Sequence, residues 1–184
     1  LRVHAQNVLE AHDGAQRDQS LSYLIVGVDR TARLVNQLLT VARMEPGAGA
    51  VLPRHADLVA AVRESLVQMT PWVLSRGLEL VFDCDEPSLM VRTDFAAIDI
   101  ALQNLVTNAV NFSPVNGQVI VTLGVGDGFF QLSVADEGPG IDEAERERLF
   151  ERFYSRGNDQ GAGLGLTIVQ SIARRLGGEI TLEN

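Results

Sequence analysis

Apolar residues close to heptad spacing run through the first quarter of the chain. Residues 1–11 predict one helix, His12-Asp13-Gly14 a polar break, and residues 16–44 a second, longer helix. In that helix Leu21, Leu24, Val28, Ala32, Val35, Leu38, Leu39 and Ala42 form a narrow seam, with Asp29, Arg30, Arg33 and Gln37 elsewhere on its surface. So narrow a seam buries little within one hairpin. It predicts a homodimer through residues 1–45, two hairpins making a four-helix bundle; packing of the hairpin on the chain's own globular part would satisfy the same pattern. Pro46-Gly47-Ala48-Gly49-Ala50 then reads as a linker, with the domain boundary at 46–50.

From residue 51 to 184 the pattern becomes one of short strands among helices. A short edge strand is expected over 51–56, the only kind of strand that tolerates Pro53. Asp57 should cap a helix reaching Arg76, with Leu58, Ala61, Val62, Ser65, Leu66 and Met69 on one face, a kink at Pro71 and Gly77 as the stop. Residues 78–83 and 89–93 read as strands on either side of the turn Asp85-Glu86-Pro87-Ser88, and Asp94 caps the next helix. Strands follow over 118–125 and 129–135, joined by the tight turn Gly126-Asp127-Gly128. A short helix over 142–150, a loop over 152–162, a helix over 164–176 and a strand beginning at 178–182 complete the pattern. Strands and helices mix without regular alternation, so the expected class is α+β, a mixed sheet with helices on one face. Leu1 begins inside a helical pattern and Asn184 stops inside a strand-like one, so both ends read as cut and the last strand as incomplete.

The helix after Asp94 carries two stripes. Ile98, Ala101, Leu102, Leu105, Val106, Ala109 and Phe112 share an apolar face, while Asn104, Asn108 and Asn111 align beside it at i, i+4 and i+7. Asparagine is a poor helix former because its amide competes for backbone hydrogen bonds. An amide oxygen is, however, a neutral ligand for a hard cation such as Mg²⁺, and the NH₂ group can donate to phosphate. A solvated helix face accounts for the same stripe.

Composition narrows the partners. With 46% hydrophobic and 21% charged residues among 184, the chain can bury one substantial core beside a smaller element. A formal net charge of −9 argues against non-specific nucleic-acid binding, so an anionic ligand needs local donors. The single Cys84 excludes an internal disulfide and a cysteine metal cluster. No apolar run approaches the roughly 20 residues of a membrane span, so any membrane attachment belongs to parts of a parent chain not present here.

Three further stretches carry chemistry. In Asp136-Glu137-Gly138-Pro139-Gly140 a strand delivers a carboxylate into a turn whose glycines let a flat ring approach the backbone; Asp136 could accept from an adenine amino group, although an Asp/Gly turn alone has the same composition. Gly161-Ala162-Gly163-Leu164-Gly165-Leu166 runs straight into a helix and frees backbone N–H groups for a phosphate. It lacks the Gly-Lys-Ser/Thr of a P-loop, and Leu166 stands where the dinucleotide fingerprint has its third glycine. Between them Phe150 and Phe153 would anchor a mobile lid, or simply face a core.

The ordered set Asn104…Asn108, Asp136-x-Gly138-x-Gly140, Phe150-x-x-Phe153 and Gly161-x-Gly163-x-Gly165 resembles the N, G1, F and G2 boxes of two-component sensor histidine kinases. The resemblance covers nearly the whole chain. It implies that residues 51–184 are a catalytic ATP-binding domain, an α/β sandwich of the histidine kinase, gyrase and Hsp90 type, and that residues 1–45 belong to the dimerisation and phosphotransfer hairpin. By the same likeness ATP and Mg²⁺ are the cofactors. Asn108 would ligate the metal, Asn104 would support it and the phosphates, Asp136 would bind the adenine amine, and Gly161, Gly163 and Gly165 would line the triphosphate. Phe112, Gly138, Gly140, Ile141, Tyr154, Arg156, Leu164 and Leu166 complete the implied nucleotide contacts. The implied partner is a cognate response regulator, and the implied location is the cytoplasmic side of the bacterial inner membrane. The ATP-hydrolysing relatives have a water-activating glutamate four residues before the metal asparagine, where this chain has Asn104, which cannot act as a base; transfer is thus favoured over hydrolysis.

The sequence departs from that pattern in places. No histidine carries the phosphoacceptor motif: His12-Asp13 is followed by Gln16-Arg17 where Ser/Thr-Pro is required, and His4 and His55 precede alanine, so the acceptor is expected upstream of Leu1. Asn111 and Ser155 stand where the family often has a cation, with Arg156 one place on. Two rivals follow: a serine kinase or ATPase of the same fold, and a degenerate module that dimerises and docks a response regulator without chemistry.

Overall fold

The structure is a computed structural model in which residues 13, 14, 16–18, 20, 21, 23, 28, 53–126, 128–146, 148–151, 154 and 163–184 are described. The chain forms two compact units, Leu1–Ala48 and Gly49–Asn184. In the first, Gly14 is already helical and the Arg17 amide donates to Asp13 O at 3.1 Å, so the polar break ends at Asp13 rather than including Gly14. The described positions of the heptad seam, Leu21 and Val28, are helical; the rest of that seam lies outside the described residues.

The second unit begins with β1 (Arg54–Asp57), just after Pro53, which therefore takes no part in the ladder. Asp57 caps α1 (Leu58–Ser75) by accepting from Val59 N at 3.0 Å, and Gly77 ends the turn beyond it at φ 72°, in the left-handed region glycine adopts without strain. Leu58, Val59, Val62, Leu66 and Val73 are its buried apolar side chains. Ser65 is buried on the same face, and its hydroxyl donates to Asp99 at 2.5 Å on the next helix, so the polar atom is not left unpaired.

The strands β2 (Glu79–Asp83) and β3 (Met90–Thr93), although joined by a short turn, belong to different sheets. β3 runs antiparallel to β1, with Arg54 opposite Thr93 and Asp57 opposite Met90. β2 lies parallel to β4 (Gln118–Gly126), from Glu79 opposite Gln118 to Asp83 opposite Thr122, and β4 pairs antiparallel with β5 (Phe129–Ala135). A parallel pair needs a long crossover, and the stretch containing α2 (Phe95–Phe112) supplies it. The resulting three-stranded sheet β2-β4-β5 is mixed, as the irregular order of elements implied.

Alternation along β4 buries Val119, Val121 and Leu123, and Leu80, Phe82, Phe130, Leu132 and Val134 of the flanking strands join them. These meet the apolar faces of α1 and of α2, where Leu102 and Val106 have no exposed surface. The product is a sheet with helices on one face. Burial of a leucine at this depth is worth about 2–5 kcal/mol against truncation to alanine.

Two expected elements take other forms. Two 3₁₀ turns, Glu143–Glu145 and Arg148–Phe150, stand where one helix was expected over 142–150, because the large apolar side chains there are confined to Leu149 and Phe150 and give no stripe for a helix to bury. α3 (Gly165–Arg175) closes at Gly177, φ 78°, with the Gly178 amide donating back to Ala173 O at 2.9 Å. After it, residues 178–184 form no strand; their ties run through side chains, Arg146 Nη1 donating to Leu182 O at 2.9 Å and Asn184 bonding to Ile141.

Candidate functional site

α2 is the axis of the site. Its start is fixed by Asp94, buried, whose side chain accepts from Ala97 N at 3.0 Å and also pairs with the Arg175 guanidinium at the end of α3. The other end of α3 meets the middle of α2: a Cβ built on Gly165 would lie 3.3 Å from Asn104 Oδ1 and 3.6 Å from both polar atoms of the Asn108 amide. α3 therefore runs antiparallel to α2, with its N-terminus on the asparagine stripe. A side chain at this position would crowd the Asn104 amide, so glycine eases the close approach of the helix end.

That N-terminus has no side-chain cap. Gly163 precedes it at φ 64°, and Leu164, 4% exposed, is buried in the core. Gly165 and Leu166 are half-buried in the first turn, where amide N–H groups have no intrahelical acceptor. Asn104 Nδ2 donates to Ile100 O at 2.8 Å, which fixes the amide orientation. Asn108 makes no side-chain hydrogen bond to the described residues and is half-buried. An uncapped helix end facing amides is a place for an anion.

At the far end of α2 stands the acidic turn. Asp136 Oδ1 accepts from Gly138 N at 2.8 Å, and a Cβ on Gly138 would sit 2.6 Å from that oxygen and 3.1 Å from Phe112 O. Glu137 braces the same turn by accepting from Gln118 N at 3.2 Å. Gly140 has φ 71°, and Ile141, half-buried, is held through both its backbone polar groups by Asn184. The second carboxylate oxygen of exposed Asp136 can accept from an amino group.

Tyr154 lies against the 3₁₀ turns: its hydroxyl donates to Glu145 Oε1 at 3.1 Å and its ring lies under the Arg148 guanidinium at 4.5 Å. Thr167 on α3 donates to Phe150 O at 3.1 Å, tying this segment to the glycine-led helix. Phe153, Arg156 and Gly161 lie outside the described residues. Asn104, Asn108 and Phe112 on α2 are thus brought together with Gly165 at the start of α3 and with Asp136 and Gly138 in the turn after β5. Sequence reasoning missed Asn184, Arg146 and Arg175; their partners lie 43, 36 and 81 positions away, beyond any local pattern.

Among the described residues no group of three or more His, Cys, Asp or Glu side chains could hold a metal ion, so a cation at this site would need amide and ligand oxygens.

The profile of the family described as histidine kinase-, DNA gyrase B- and HSP90-like ATPase matches residues 93–184, from the cap of α2 to the last residue. The chain belongs to this ATPase family. The sensor protein RssA of Serratia marcescens, named for swarming motility regulation, is 30% identical over 173 residues, covering 90% of this chain and 36% of RssA. The full-length ShkA crystal structure in complex with AMPPNP superposes with a TM-score of 0.73 at 29% identity, over 97% of this chain and 40% of that one. Histidine kinase ThkA, solved in complex with response regulator protein TrrA, superposes with a TM-score of 0.71 at 26% identity, over 88% of this chain and 46% of that one. The resemblance carried by the four boxes is borne out: this is a histidine kinase-type ATP-binding domain. The chain spans about a third of the length of the curated relatives it matches.

Proposed function

We propose that this chain is the catalytic part of a two-component sensor histidine kinase, which binds ATP with Mg²⁺ and transfers the γ-phosphoryl group to a histidine outside this sequence. The observation that carries the reading is the packing of Gly165 against Asn104 and Asn108, which joins an uncapped helix N-terminus to two amides. Helix N–H groups and the Asn104 amide hold the phosphates there. The Asn108 oxygen suits Mg²⁺, a hard cation that keeps several waters and takes its remaining oxygens from phosphate. The metal supplies charge neutralisation on the phosphates; the protein supplies position. Asp136 accepts from the adenine amine at the other end of α2, and the Gly138–Ile141 turn forms the floor beneath the ring. Asn104, four residues before Asn108, cannot act as a general base for water, which favours transfer over hydrolysis.

The acceptor is assigned elsewhere because His4, His12 and His55 all lack its motif. Leu21 and Val28, seven residues apart on the seam, are 40% and 54% exposed in the single chain, which supports a homodimer through residues 1–45. The ThkA–TrrA complex supports a response regulator as the downstream partner. No helix among the described residues is long and apolar enough to cross a membrane, and we assign tethering at the cytoplasmic face of the inner membrane to the whole sensor.

The decisive experiment is calorimetric titration with ATP and Mg²⁺, followed by incubation of the loaded chain with a separate hairpin bearing an acceptor histidine. Affinity in the micromolar range and labelling of the hairpin are expected, with binding abolished in Asp136→Asn. No thermal stabilisation by nucleotide would overturn the assignment, and binding without transfer would favour a docking module.

A further inference from the structure

Asn184 bonds to the backbone of a residue it has no sequence reason to meet. Its Oδ1 accepts from Ile141 N at 2.9 Å and its Nδ2 donates to Ile141 O at 2.8 Å, so one side-chain amide copies both hydrogen bonds that a neighbouring strand would make to that residue. The same amide packs flat on Gly140: a Cβ placed there would lie 3.4 Å from Asn184 Oδ1 and 3.6 Å from its amide carbon. A second tie, Arg146 Nη1 to Leu182 O at 2.9 Å, holds the segment two residues earlier to the same stretch. Residues 182–184 thus strap the 140–146 segment, while the Phe112 carbonyl backs Gly138.

The turn needs such a strap. Gly140 is at φ 71° and is followed directly by Ile141, and glycine in this region carries a large conformational entropy to lose. On the upstream side Asp136 and Glu137 fix the turn through Gly138 N and Gln118 N; downstream, Ile141 is fixed by Asn184. Alanine at position 184 could make neither bond.

We infer that Asn184 is a positioning residue for base recognition: it does not touch the nucleotide but holds Gly140–Ile141 in the shape that receives the purine ring. This rests on the assignment of the Asp136–Ile141 turn to adenine. Its effect falls on the base and not on the phosphates, whose donors lie on α2 and α3.

The test compares the 184-residue chain with Asn184→Ala and Asn184→Gln, the latter keeping the amide but displacing it by one methylene. Two measurements separate this inference from the ATP assignment. Amide hydrogen exchange at Ile141, followed without ligand, should accelerate about tenfold or more in Asn184→Ala, while Leu102 and Val106 in the core stay protected. Titration with ATP should then show about tenfold weaker binding, the size expected for a hydrogen-bonded pair, while inorganic tripolyphosphate with Mg²⁺ binds both proteins equally. Asn184→Gln should fall between the two. Unchanged exchange at Ile141, equal ATP affinity in wild type and Asn184→Ala, or equal losses for ATP and tripolyphosphate would each overturn the inference. Failure of wild type to bind ATP would instead remove the adenine assignment, with the exchange result still deciding whether Asn184 straps the turn. Should Asn184→Ala not fold, Asn184→Gln carries the same comparison.

Discussion

Gly138 occupies a position where even one carbon more collides with Asp136 and crowds Phe112 O. A methyl group there would stand 2.6 Å from Asp136 Oδ1 and 3.1 Å from Phe112 O, and the second of these is backbone at the end of α2, which cannot swing aside. Gly138→Ala therefore has to push Asp136 out of its turn or lift the turn off α2. We expect a loss of about 1–3 kcal/mol in urea unfolding, the usual cost of overpacking, and at least tenfold weaker ATP binding by titration. An alanine variant with wild-type affinity would show that Asp136 does not need this turn. Gly140 and Gly165 are glycines for different reasons, one for its φ of 71° and one for the approach of a helix end to Asn104 and Asn108.

At the scale of elements, what was legible in the sequence is what a local pattern specifies. α1 and α2 were readable with their caps because Asp57 and Asp94 precede apolar residues at helical spacing, and β4 and β5 because a Gly-Asp-Gly turn separates two alternating runs. Pairing was not readable: β2 and β3 look like a hairpin, yet β3 pairs with β1, and α2, between β3 and β4, returns the chain so that β4 lies parallel to β2. Asp57 shows the same limit within one residue. Its role as a cap was foreseen, but Oδ1 also accepts from Leu89 N at 2.9 Å, joining the entry of β3 to the start of α1. That bond, first, and those from Ser88, Ala60 and Val59 hold its carboxyl below the usual 3.8, against the opposing effect of burial. A carboxylate with a depressed pKa in the folded state stabilises fully above its unfolded value and loses that contribution as the pH falls through the folded one. The stability difference between wild type and Asp57→Asn should accordingly be constant at neutral pH and shrink below pH 3.8 in urea titrations; a difference independent of pH would refute the bond from Leu89 as its source.

The whole molecule carries a formal net charge of −9, yet it belongs to a family that binds a triphosphate. The asparagine stripe offers no compensating cation, since positions 104, 108 and 111 are all amides. Helix N–H groups contribute a partial charge of about +0.5 at the start of α3, far short of neutralising ATP. On the proposed reading Mg²⁺ supplies much of the neutralisation, and the net negative field of the protein repels the ligand at long range. Two consequences can be measured on one sample. Removing Mg²⁺ with EDTA should weaken ATP binding at least tenfold while leaving adenosine binding unchanged, because only the phosphates lose their counter-charge. Raising the ionic strength from about 0.01 M to 0.15 M shortens the screening length from about 30 Å to 8 Å, so association of the ATP complex should become faster with salt, opposite to the behaviour of a basic site. ATP affinity indifferent to EDTA would remove Asn108 from the metal; an association rate that falls with salt would mean that local cations, such as Arg156, outweigh the charge of the whole.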